Sequence, residues 1–117
     1  MPTVYLRNAM VSAALTAAAI AAAPSTTAQE VLDTRSLFDA CTLAEESWIS
    51  FCNGYIQAAA DIASLGGSAC IPLVETRANI ASNFAATMGP LLVDDSSLAD
   101  ENGLSVMLLF LSEAYPC

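Results

Sequence analysis

The sequence predicts an all-α fold, a small disulfide-stapled bundle of about four helices behind a cleaved signal peptide. Three observations carry this expectation. Apolar residues recur at spacings of three and four rather than two. Glycine and proline punctuate the chain where helices stop and start. The cysteines are even in number, and all four lie beyond residue 28 of the 117.

Residues 1–28 form the leader. Arg7 is followed by the apolar stretch Ala9 to Ala23, 15 residues long. A membrane span needs roughly 20, so the stretch reads as the core of a secretory signal rather than an uncleaved anchor. Thr26-Thr27-Ala28 places small residues at both cleavage-determining positions, which puts the cut between Ala28 and Gln29. Cleavage at Ala23 would leave Pro24 first. The first cysteine, Cys41, is too far downstream to anchor a lipid. The domain is then residues 29–117, with two arginines against 12 acids and a net charge of −10.

Asp33 or Thr34 is placed to cap a short helix holding Leu37, Phe38 and Cys41. A longer helix follows from about Glu45 to Leu65, with Trp48, Cys52, Tyr55, Ile56, Ala59, Ile62 and Ala63 along one face. Gly66-Gly67 ends it. Pro72 suits the first turn of a third helix, whose buried side is Leu73, Ile80, Phe84 and Met88 and which Gly89-Pro90 stops. Ser97-x-x-Asp100 resembles a capping box for a last helix ending near Ala114. Its run 104–111 is apolar nearly all round, which fits a central helix, a strand or a partner surface. Length and the upstream cap favour the helix, and the small size of the domain favours core. Trp48, Phe84 and Phe110 are expected to pack inside.

The cysteines are separated by 11, 18 and 47 residues, with no C-x-x-C and no histidine, so disulfides fit better than a zinc site. In an up-and-down bundle the start of the third helix and the end of the fourth share one end, which pairs Cys70 with Cys117 and leaves Cys41 for Cys52. One local signal opposes this. Thr42-x-x-Glu45 also reads as a capping box, and a helix starting at Leu43 would separate Cys41 from Cys52 by ~15 Å. A later start, capped by Ser47, removes the conflict and is preferred.

The composition excludes much chemistry. With no histidine and no lysine there is no Ser-His, Cys-His or Ser-Lys pair and no Schiff base. Three arginines in the whole chain argue against nucleic acid as a partner. The pairs Glu45-Glu46, Asp94-Asp95 and Asp100-Glu101 are adjacent in sequence, so neither member faces the other as an acid–base couple would. They read as solvated acids at helix starts. Residues 93–101 are too few for a calcium-binding EF-hand. No cofactor or metal is expected.

Three short motifs point to a family. Phe51-Cys52-x-Gly54-Tyr55-Ile56, then Cys70-Ile71-Pro72, then Tyr115-Pro116-Cys117 resemble the Rap/Tai family of periplasmic immunity proteins. These protect bacteria from peptidoglycan amidase effectors of type VI secretion. The resemblance runs from about Asp33 to Cys117 in conserved order and approximate spacing. It implies a small helical domain with two disulfides that binds an amidase and occludes its active site, often as a dimer. Gly54 is expected to permit close helix approach. The chain departs from the family pattern at Ala58, where a second glycine is usual, and at Met88-Gly89-Pro90, where relatives are more polar.

The functional expectation is therefore a non-enzymatic periplasmic protein, off the membrane once cleaved, that neutralises a secreted amidase by contact. Asp94, Asp95, Asp100 and Glu101 are the candidate contact residues, because an acidic surface steers a basic partner. The alternatives are a small periplasmic acid-stress chaperone, whose carboxylates would titrate near pH ~4, and an exported helical domain with an unrelated binding role.

Overall fold

The computed structural model describes residues 31–117. The expected leader and its cleavage site lie outside the described residues. Among the described residues there are four α-helices: α1 (Thr34–Thr42), α2 (Glu46–Leu65), α3 (Arg77–Asp94) and α4 (Gly103–Ala114). A 3-10 helix, Ser96–Asp100, joins the last two. The all-α expectation holds, and no helix of the described residues is long and apolar enough to cross a membrane.

Capping fixes the order of the first two helices. The Asp33 carboxylate accepts the Ser36 backbone N–H at 2.7 Å and starts α1. At the other end the Thr42 hydroxyl donates back to the carbonyl of Phe38 at 2.9 Å. Thr42 thus closes α1 rather than opening α2, which removes the conflict over the first disulfide. The helix α2 does start late, but Glu45 occupies the cap position without a side-chain bond, and Ser47 lies inside the first turn. The cap expected of Ser47 is therefore not made. At its far end Gly66 is the cap and Gly67 adopts φ 71°, a left-handed conformation that suits glycine. The Ala63 carbonyl accepts from the backbone of Ser68 and Ala69, turning the chain sharply.

Three expected boundaries shift. Pro72 does not open α3; it shapes a turn in which the Glu75 N–H bonds to its carbonyl at 3.0 Å. The cap is Thr76, whose hydroxyl accepts from Asn79. Leu73 is consequently exposed rather than buried. Nor does Gly89-Pro90 end α3. Proline deletes one helical hydrogen bond, but Pro90 sits on the exposed side while Met88 and Leu92 are buried on either side of it. Packing carries the helix one more turn to Asp94. Finally, α4 begins at Gly103, capped by the Asn102 side chain accepting from Ser105 at 3.0 Å, and Ser97 belongs to the preceding 3-10 helix.

The core gathers Leu37 from α1, Cys52, Ile56, Ala59 and Ala63 from α2, Ile80, Phe84, Met88 and Leu92 from α3, and Met107, Phe110 and Leu111 from α4. Phe84 and Phe110 meet edge to face with centroids 5.4 Å apart. The apolar helix α4 is thus largely core, as its composition suggested, although Leu109 faces solvent. Trp48 and Ile62 are exposed, against expectation.

Both expected disulfides form. Cys41–Cys52 and Cys70–Cys117 have Cα separations of 5.1 and 4.9 Å. The residues before α1 are stitched to the start of α4 by an isolated antiparallel bridge between Asp33 and Asn102. Gly103 N–H donates to Leu32 O at 2.8 Å, and Thr34 N–H donates to Glu101 O at 2.9 Å. The Thr34 hydroxyl, fully buried, adds a bond to the same Glu101 carbonyl. A Cβ at residue 103 would lie 2.9 Å from Leu32 O, so this approach requires glycine. Gly54 has nothing within 4 Å, and the close contact expected there is absent.

Candidate partner-binding surfaces

The four acids singled out in the sequence lie on one continuous segment and all are exposed. Asp94 is the last residue of α3 and Asp100 the last of the 3-10 helix. Both therefore stand at the negative end of a helix, where a carboxylate is disfavoured. The reading of these acids as helix-start residues fails for them. Asp95 does cap: it accepts from the Ser97 hydroxyl and, at 3.0 Å, from the Ser97 N–H. Those bonds hold its carboxyl below the usual range. Glu101 is engaged through its backbone, as acceptor for Thr34. The only ion pair among the described residues is elsewhere, between Arg35 and Asp39 at 4.0 Å. The segment is thus an acidic edge without a cationic partner among the described residues.

Beside it runs an apolar groove of about 140 Å³ between α3, the 3-10 helix and α4. Met88, Leu91, Leu98, Val106, Leu109 and Phe110 line it, together with the polar Thr87 and Glu113. A second hollow, about 200 Å³, lies next to the first disulfide between Ala40, Ile49, Asn53 and Ala81.

A third surface was not expected. Trp48, Phe51 and Tyr55 form a ladder along α2, with ring centroids 6.1 and then 5.9 Å apart. Trp48 is 40% and Phe51 41% exposed, and the half-buried Tyr55 has its hydroxyl pKa raised by desolvation. Leu43, Ile49 and Ile62 are exposed as well. The signal was present in the sequence. The apolar residues of α2 occupy a wider arc than the stripe that Cys52, Ile56, Ala59 and Ala63 bury.

The opposite, stapled end is held by polar contacts. Tyr115 OH donates to Glu75 Oε2 at 3.0 Å, Asn83 donates to Tyr115 at 3.4 Å, and Cys70 N–H donates to Tyr115 O at 2.8 Å. Glu75 also accepts the Thr76 N–H; that bond leads the effects that lower its pKa, with Asn79 and Tyr115 adding to it. Burial, reinforced by Glu75, raises that of Tyr115. Against this braced end, Leu65, Leu73 and Val74 are almost fully exposed.

No group of three or more His, Cys, Asp or Glu side chains suited to a metal occurs among the described residues. The four cysteines are paired with each other. The three motifs of the family resemblance coincide with the two staples and their supports: Cys52 in the first, Cys70 and Cys117 in the second, and Tyr115 beneath it. No family model, curated protein or solved structure matches the chain.

Proposed function

We propose that this chain is an exported, non-enzymatic binding protein of the Rap/Tai kind, which docks on a secreted peptidoglycan amidase in the periplasm and blocks it. The observation that carries the reading is the combination of a doubly stapled helical frame with an acidic edge, Asp94 to Glu101, that flanks an apolar groove. Charge of one sign speeds encounter with a basic partner, while the groove offers area to bury. The sequence supports the non-enzymatic part, because its hydroxyls have no histidine or lysine to activate them.

The test is a pull-down with hydrolases encoded beside this chain, followed by a peptidoglycan hydrolysis assay. Stoichiometric binding with loss of hydrolysis is expected. No binding to any co-encoded hydrolase would overturn the proposal. A second reading, a chaperone active in acid, draws on the exposed Leu65, Leu73 and Val74. It requires suppression of client light scattering at about pH 3 to 4, where carboxylates lose their charge.

A further inference from the structure

We infer that the aromatic face of α2 is the short-range anchor for a basic protein partner, which meets it with arginine, lysine and aliphatic side chains. The inference rests on the binding role proposed above and moves its centre from the acidic segment to Trp48, Phe51 and Tyr55. Three features of this surface lead there.

The first is what the rings touch. Trp48 and Phe51 pack edge to face on each other, and Phe51 packs on Tyr55, while Cys52, Ile56 and Ala59 of the same helix fill the core. A small domain short of buried area leaves its single tryptophan two-fifths in water. Trp and Tyr are also the side chains that most often dominate binding energy, since they bury large area at little entropic cost.

The second is geometry. One continuous helix of 20 residues carries the three rings, and the Cys41–Cys52 disulfide ties that helix to α1. A partner thus meets a preorganised surface and spends little on ordering it.

The third is charge, and it selects the occupant. Glu45 and Glu46 stand one turn before the ladder. The described residues hold 11 carboxylates against two arginines, and Arg35 is already beside Asp39 and over the Phe38 ring. A second copy would bring the same acidic surface and almost no cation to offer, and an anionic membrane or nucleic acid would be repelled. A cationic side chain is attracted twice, by the ring faces and by the flanking carboxylates.

Trp48 reports the event directly, being the only tryptophan. The protein is titrated, at about 150 mM salt, with an amphipathic peptide of leucine and arginine and with its leucine–glutamate counterpart. The arginine peptide is expected to shift Trp48 emission to the blue, and the glutamate peptide to leave it unchanged. Phe51→Ala should weaken the arginine peptide about tenfold or more, whereas neutralising Asp94, Asp95, Asp100 and Glu101 together should weaken it about threefold at most. Circular dichroism checks that both variants remain folded. Equal response to the two peptides, greater loss from the acidic-segment variant, or a dimer that Phe51→Ala dissolves would overturn the anchor. A secreted peptidoglycan amidase separates the two proposals. If it fails to bind while the arginine peptide binds through Phe51, the amidase reading falls and the anchor stands. If it binds Phe51→Ala as tightly as the unaltered protein, the anchor falls alone.

Discussion

The two stapled regions of this molecule are built for different ends. Around Cys70–Cys117 the disulfide is joined by a backbone bond from Cys70 to Tyr115 and by the Tyr115–Glu75–Asn83 contacts. Covalent and polar restraints there converge on one place. Around Cys41–Cys52 the staple joins two helices across a three-residue connection, and the side chains just beyond it are exposed apolar ones. One staple closes the bundle, while the other holds a surface steady without covering it.

Removing each staple in turn should separate the two regions most clearly. The longer loop, spanning a separation of 47 residues against 11, removes more unfolded-state entropy. Loop-closure arithmetic gives about 4 kcal/mol for it and roughly 2.5 to 3 for the shorter one. With liberated thiols blocked, Cys117→Ser is expected to melt below Cys52→Ser in a calorimetric scan. Non-reducing peptide mapping should find no fragment that joins Cys52 to Cys117.

Next come the glycines. Gly103→Ala drives a methyl to 2.9 Å from Leu32 O, against backbone that cannot swing aside, and should cost about 1–3 kcal/mol in denaturant unfolding. Gly54→Ala, in a helix interior with open space around it, should instead stabilise by about 0.5–1 kcal/mol. If both substitutions destabilise, Gly54 has a role that its surroundings do not explain.

The smallest effect is expected from pH. The carboxyls of Asp33, Asp95 and Glu75 are all lowered in the fold, chiefly by hydrogen bonds from neighbouring N–H and hydroxyl groups. Stability from such groups is present above their unfolded values, 3.8 for the aspartates and 4.5 for the glutamate, and is lost as pH falls through the lower folded ones. Melting temperature should therefore drop on acidification in that range. Glu75→Gln should flatten part of the fall at the Cys70–Cys117 end, where Glu75 bonds Tyr115. An unchanged slope would show that these bonds carry no net weight.

Much of this frame was legible in the residues. The Asp33 cap, the Gly66-Gly67 stop and both disulfides depend on local chemistry, on helix order and on spacing, which a sequence displays. The boundaries of α3 and α4 were less so. Proline is permitted both in the first turn and in turns outside it, and only the burial of Leu92 decides that α3 outlasts Pro90. The candidate surface was least legible. Periodicity assigns an apolar residue to a helix face, yet whether a neighbour covers that face depends on the tertiary arrangement. Hence Trp48 read as core, and the four acids read as helix-start residues although Asp94 and Asp100 end their helices.

The bridge between Asp33 and Asn102 bears on the timing of folding. The buried Thr34 hydroxyl bonds across 67 residues to Glu101, and the second disulfide joins cysteines 47 residues apart. A chain delivered residue by residue from its amino terminus can make the short Cys41–Cys52 loop early, since its closure needs few residues. It cannot seat Thr34 until residue 101 has emerged, nor form the second disulfide until residue 117 has. The buried face of α1 therefore waits uncovered while the residues up to Glu101 are delivered.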